Sequence, residues 1–183
     1  MILRAFFLIA LALASSQTVE DTAPFADVPN VTFTYYDVAG PTAESIRKDM
    51  NLKNFKDPAD EKKVDSFGQW SFSWQLRQTP DGKCDADVSF KGQVKLPRLL
   101  DAPTHSKDVE ARWNRYLSRL LVHEAGHVRW AWEQRGQLEE ALEAGPCQSA
   151  SAAAQSMLKL IREHDRTYDI STQHGLTQGA VFP

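Results

Sequence analysis

Cysteine is scarce in this chain of 183 residues: there are two, Cys84 and Cys147, and their spacing matches no zinc motif. Positive charge is not in excess. With 21 Lys and Arg against 24 Asp and Glu the formal net charge is −3, which argues against the clustered basic field that nucleic acid requires of a partner. Glycine and proline, nine each, stand at ordinary levels, so the chain is neither low-complexity nor collagen-like. Beyond Ala14 no apolar run approaches the roughly 20 residues a spanning helix needs, so no stable membrane span is expected.

What is present suits a globular protein with one core: 42% of residues are hydrophobic and 10% aromatic. Residues 1–16 place Arg4 before an apolar run, followed by small residues, the pattern of a secretory signal peptide. Export to the periplasm or the medium is therefore expected. In such an oxidising compartment an even cysteine count favours a Cys84–Cys147 disulfide, stabilising by roughly 4 kcal/mol in the chain-entropy model. Residues 17–30 are polar with two prolines and read as a flexible N-terminus, leaving 31–183 as a single domain.

Residues 31–38 are rich in β-branched and aromatic side chains, a strand signal. Gly40-Pro41 ends it, and Thr42 is placed to cap a helix reaching about Met50. The charged stretch 53–66 reads as loop. From Phe67 to Leu76, Trp70, Phe72, Trp74 and Leu76 alternate with Ser71, Ser73 and Gln75, so one strand face is aromatic. After the turn at Pro80-Asp81-Gly82, Val88 with Phe90 and Val94 with Leu96 suggest a further strand pair. From Lys107 the apolar period becomes helical, with Ser106 as N-cap, and lasts to Glu143 before Gly145-Pro146. A second helix is expected from about Gln148 to Asp169 or beyond. The predicted fold is α+β: a small antiparallel sheet (31–100) packed against a long two-helix hairpin (106–183).

Within the first long helix lies His123-Glu124-Ala125-Gly126-His127, an H-E-x-x-H pattern. Positions i and i+4 share a helix face, so both imidazoles can reach one Zn2+ ion, with Glu124 as general base. One zinc per chain is expected. The third ligand of the H-x-x-G-x-x-H extension is missing, because Trp130 and Glu133 occupy the Gly and His positions. Glu143 is about 24 Å farther along the axis than His127, too far to substitute. If the chain reverses near Pro146, Asp165 on the second helix comes level with the histidines and is the first choice as third ligand; His174 and Asp169 are the alternates. Tyr168 could steady an oxyanion through its hydroxyl or serve as a core aromatic. Gly126, costly in mid-helix, suggests that something approaches closely there. His105 and His164 read as surface residues.

These residues together resemble a bacterial family of predicted secreted zinc-dependent proteases catalogued as a domain of unknown function. The resemblance rests on Tyr35-Tyr36-Asp37-Val38-Ala39-Gly40 with Thr42, on Trp70 and Trp74, Cys84, Leu96-Pro97, His123 to His127 and Cys147. Tyr168-Asp169, Thr172, His174-Gly175 and Gln178-Gly179 complete it. It implies an exported protein with a metallopeptidase-like site and adds weight to Asp169 and His174. The expected function is hydrolysis of peptide bonds in a peptide or protein substrate. Two alternatives stay open: a zinc amidase acting on cell-wall peptide, and a non-enzymatic envelope protein whose zinc is structural.

Overall fold

Strict alternation builds the centre of the sheet. The computed structural model describes residues 19–57, 60–100 and 105–183, so the predicted signal peptide lies outside the described residues. Strands β1 (Val31–Val38), β4 (Phe67–Gln78) and β5 (Cys84–Leu99) form a three-stranded sheet in the order β1-β5-β4. On β5 the inward set Ala86, Val88, Phe90, Val94 and Leu96 is buried while Asp87, Ser89, Lys91, Gln93 and Lys95 are exposed. Each such apolar side chain contributes about 1.5–3 kcal/mol on burial.

Two expectations about this sheet are corrected. The runs around Val88 and Val94 are one continuous strand rather than a pair, because β4 and β1 both pair along it and Gly92 stays in register opposite Trp70 and Val31. The sheet is mixed rather than antiparallel: β4 runs antiparallel to β5 and β1 runs parallel to it. A parallel partner needs a long crossover, and here the crossover contains α1 (Ala43–Lys53), a two-stranded hairpin and β4 itself. Thr42 caps α1 through a reciprocal pair of bonds with Ser45. The charged stretch expected to be loop forms the antiparallel hairpin β2 (Phe55–Lys56) and β3 (Lys63–Val64).

Helix α2 (Lys107–Glu133) begins at the Ser106 cap, whose side chain accepts from the Val109 amide. It continues through a bend at Gln134 into α3 (Arg135–Glu143). Its buried stripe includes Trp113, Tyr116, Leu117, Leu120, Ala125, Val128 and Ala131, and it covers the sheet. Helix α4 (Cys147–Thr172) returns against α3 and α2. Cys84 and Cys147 form a disulfide that joins the start of β5 to the start of α4. Among the described residues no helix is long and apolar enough to cross a membrane.

The two chain ends are tied to this frame. Residues 19–30, expected to be flexible, contain a 3-10 helix, Val19–Phe25; Phe25 and Val28 are buried, and Arg129 of α2 pairs with Asp27. At the other end Phe182 inserts against Trp113 and Tyr116, and its carbonyl accepts from Arg47 Nε at 2.7 Å. Arg47 also bonds both carboxylate oxygens of Asp65, which receives the Tyr116 hydroxyl at 2.9 Å. That node fixes the chain where it enters β4. His105, read as a surface residue, is buried instead, with Nε2 2.7 Å from the Gly40 carbonyl.

Candidate metal centre

Turn spacing on α2 brings His123 and His127 to one face with ring centroids 5.0 Å apart. Both are buried, at 3% and 6% exposure, as is Glu124 at 3%. Three polar groups buried together in a helix stripe need partners, and the partners come from three other segments. Asp169 of α4 places Oδ1 3.3 Å from His123 Nε2 and 3.1 Å from His127 Nε2. The far nitrogen of each ring is held as well: His123 Nδ1 lies 2.9 Å from Gln178 Oε1, and His127 Nδ1 lies 3.1 Å from Asp165 Oδ1. Asp165 in turn accepts from the Trp70 indole at 2.6 Å.

The ligand atoms of His123, His127 and Asp169 all lie within 4.8 Å of one another. Asp165, the first choice for third ligand, is not in that group, because it faces the other nitrogen of His127. The reason is helical geometry. Asp165 and Asp169 are one turn apart on α4 and both look toward α2, so the two carboxylates straddle a single imidazole. His174, the other alternate, sits in the left-handed region just past α4, with Nδ1 3.5 Å from Asp169 Oδ1.

Charges in this cluster shift one another. Burial would lower the pKa of His127, but the bonds from Asp165 and Asp169 and the charge on Glu124 push it up from 6.5 to about 10. Burial would likewise raise Asp169; the two histidine bonds and the nearby imidazole charges hold it well below the usual carboxylate range instead. A ring with both nitrogens turned toward carboxylates must carry a proton on each, or present a lone pair to a cation.

Glu124 points into a cavity of about 950 Å3 whose lining includes Ser66, Gly68, Trp70, His123, His127 and Asp169. Its Oε1 accepts from Ser66 Oγ. Opposite it the backbone of β4 comes very close: a β-carbon at Gly68 would stand 2.7 Å from Glu124 Oε2. Gly126 answers the question its position raised. A β-carbon there would be 2.3 Å from the Tyr168 hydroxyl, so the glycine admits that side chain between α2 and α4. Tyr168 stacks on His123, with centroids 5.1 Å apart and planes at 12°, and its oxygen receives a bond from Gln178 Nε2 at 2.9 Å. Burial raises its pKa, against a Gln178 bond that lowers it. It does not line the cavity and lies against His123 and Gln178. His164, read as a surface residue, is half-buried instead: it stacks on Trp130 with centroids 3.8 Å apart and on Tyr168 with centroids 6.3 Å apart.

Sequence reasoning missed Ser66 and Gly68 as parts of this site. Trp70 carried a strand signal and, like Gln178, a place in the family resemblance, with no bonding role assigned to either. A model for the family described as "Bacterial protein of unknown function (DUF922)" matches residues 33–175. No curated protein and no solved structure matches the chain.

Proposed function

The chain belongs to that family of bacterial proteins, and from this premise we propose that it is an exported zinc-dependent metallopeptidase. The observation that carries the reading is the orientation of the two imidazoles. Gln178 and Asp165 occupy their Nδ1 atoms, and both Nε2 atoms turn toward one oxygen of Asp169. An outer partner on the far nitrogen sets the tautomer of a metal-ligating histidine. Two imidazole nitrogens and a carboxylate, with a cavity on the remaining side, make a donor set suited to catalytic zinc. In this reading His123, His127 and Asp169 hold the ion.

When bound there, zinc supplies Lewis acidity, making a water acidic near neutral pH and polarising the scissile carbonyl. Glu124, buried at the cavity wall, accepts the proton of the attacking water and returns it to the leaving amine. Ser66 fixes which way that carboxylate points. Gln178, Asp165 and Tyr168 hold the imidazoles still.

A peptide is favoured over other amides by β4. It pairs only with β5 among the described residues, and Phe67, Gly68, Gln69 and Trp70 of its other edge line the cavity. An extended peptide can add to such an edge through main-chain bonds. A purely structural zinc gives no reason for a buried Glu124 facing a large cavity. Export is supported by the disulfide and by the signal-peptide pattern of residues 1–16.

The test is casein hydrolysis by the purified mature protein with and without chelator, beside His127→Ala and Glu124→Gln. Hydrolysis abolished by chelation, restored by zinc and lost in both variants, with zinc uptake unchanged in Glu124→Gln, is the expected result. Hydrolysis that survives chelation or either substitution would overturn the reading.

A further inference from the structure

Asp169 also serves a second cluster. Its Oδ1 lies 3.5 Å from His174 Nδ1, and that nitrogen lies 3.9 Å from Asp57 Oδ2. The ligand atoms of Asp57, Asp169 and His174 are all within 4.8 Å of one another. They come from three places: the end of β2, the last turn of α4, and the residue that follows the α4 cap.

The far side of His174 repeats the arrangement at His127. Nε2 lies 3.0 Å from Asp60 Oδ2, an oxygen that Lys62 Nζ also approaches at 2.9 Å. A carboxylate behind the ring orients it and leaves Nδ1 to face Asp57 and Asp169. The side chains of Asp57, Asp169 and His174 are only 10%, 13% and 16% exposed. Two carboxylates so close and so dry repel each other, and a cation held between them and the imidazole relieves that repulsion. The nearby ammonium of Lys62 sits on the other side of the ring, 3.4 Å from Nε2.

We propose that Asp57, His174 and Asp169 bind a second divalent cation, with Asp169 as the carboxylate shared between two adjacent sites. An imidazole with two carboxylates is a donor set that zinc accepts. The inference rests on the metallopeptidase reading only through the shared Asp169. Paired cations joined in this way clamp the oxygens of one substrate group, and His174 and Asp169 both line the cavity that Glu124 faces. The hairpin of β2 and β3 thereby becomes part of the site.

The experiment is a Zn2+ titration of the metal-stripped protein, counting bound ions by mass spectrometry, with a parallel Co2+ titration followed by electron paramagnetic resonance. Wild type is expected to take up two equivalents, and His174→Ala, Asp57→Asn and His127→Ala one each. The Co2+ protein should show an exchange-coupled signal that His174→Ala and Asp57→Asn lose. Asp57→Asn preserves shape and serves if His174→Ala does not fold. Uptake in both His174→Ala and Asp57→Asn equal to wild type overturns the second site and leaves the first standing. Uptake in His127→Ala equal to wild type overturns the first.

Discussion

On the helical wall of the cleft, His123, Glu124 and His127 take their places from one turn of α2, and Asp165 and Asp169 from one turn of α4. On the strand wall, Ser66, Gly68 and Trp70 are set by the entry into β4, where Arg47, Asp65 and Tyr116 clamp the chain. The helical wall supplies every atom of the first ligand group. The strand wall meets the neighbours of that group across the cleft: Ser66 bonds Glu124, Gly68 lies against Glu124, and Trp70 donates to Asp165. Chemistry is thus concentrated in short local motifs, and its aim depends on contacts that span nearly a hundred residues.

That division can be broken on the helical side first. Glu124→Gln should lower casein hydrolysis by about 10³-fold, within the usual range for loss of a general acid–base group, while zinc content holds. His127→Ala should lose both hydrolysis and the ion of the first site. If the strand wall acts only through the helical one, Asp165→Asn should weaken zinc by about 10–100-fold, and Trp70→Phe should weaken it less; both are read by competition with a chelator. Gly68→Ala sharpens the comparison further. It pushes on Glu124 without touching a ligand, so kcat should fall roughly tenfold to a hundredfold with zinc affinity unchanged.

The smallest effect concerns stability without metal. His127, raised to about 10, stabilises the fold fully below its ordinary pKa of 6.5, and that contribution is lost as pH rises through about 10. Asp169 is lowered, so its contribution is present above 3.8 and lost as pH falls further. Melting temperature of the metal-free protein should therefore be highest between these limits and fall by a few degrees on either side. The alkaline fall should flatten in His127→Ala.

How much of this could be read in advance followed the range of the forces involved. The H-E-x-x-H face, the Ser106 and Thr42 caps and the alternation along β4 and β5 are local, and the sequence displayed them directly. The disulfide followed from compartment and count. The parallel pairing of β1 with β5 was not visible, because alternation says which face is buried and nothing about strand direction. Asp165 and Asp169 share a helix face, so periodicity placed both near the histidines; only the crossing of α4 over α2 decides which ring nitrogen each one meets. The stretch 53–66 looked like charged loop, yet it delivers Asp57, Asp65 and Ser66 to the cavity wall. Its information lies in distant partners, and no window along the chain contains them.

The contact of Tyr168 with Gly126 has a consequence for descent. A phenol that fills the space a β-carbon would occupy makes the two positions a single inherited unit. A methyl gained at 126 alone would displace the Tyr168 ring and with it the contacts of that ring with His123 and Gln178. The same methyl is harmless in a lineage that has already exchanged Tyr168 for something smaller. The order in which such changes arise decides which routes through sequence space stay open to this protein.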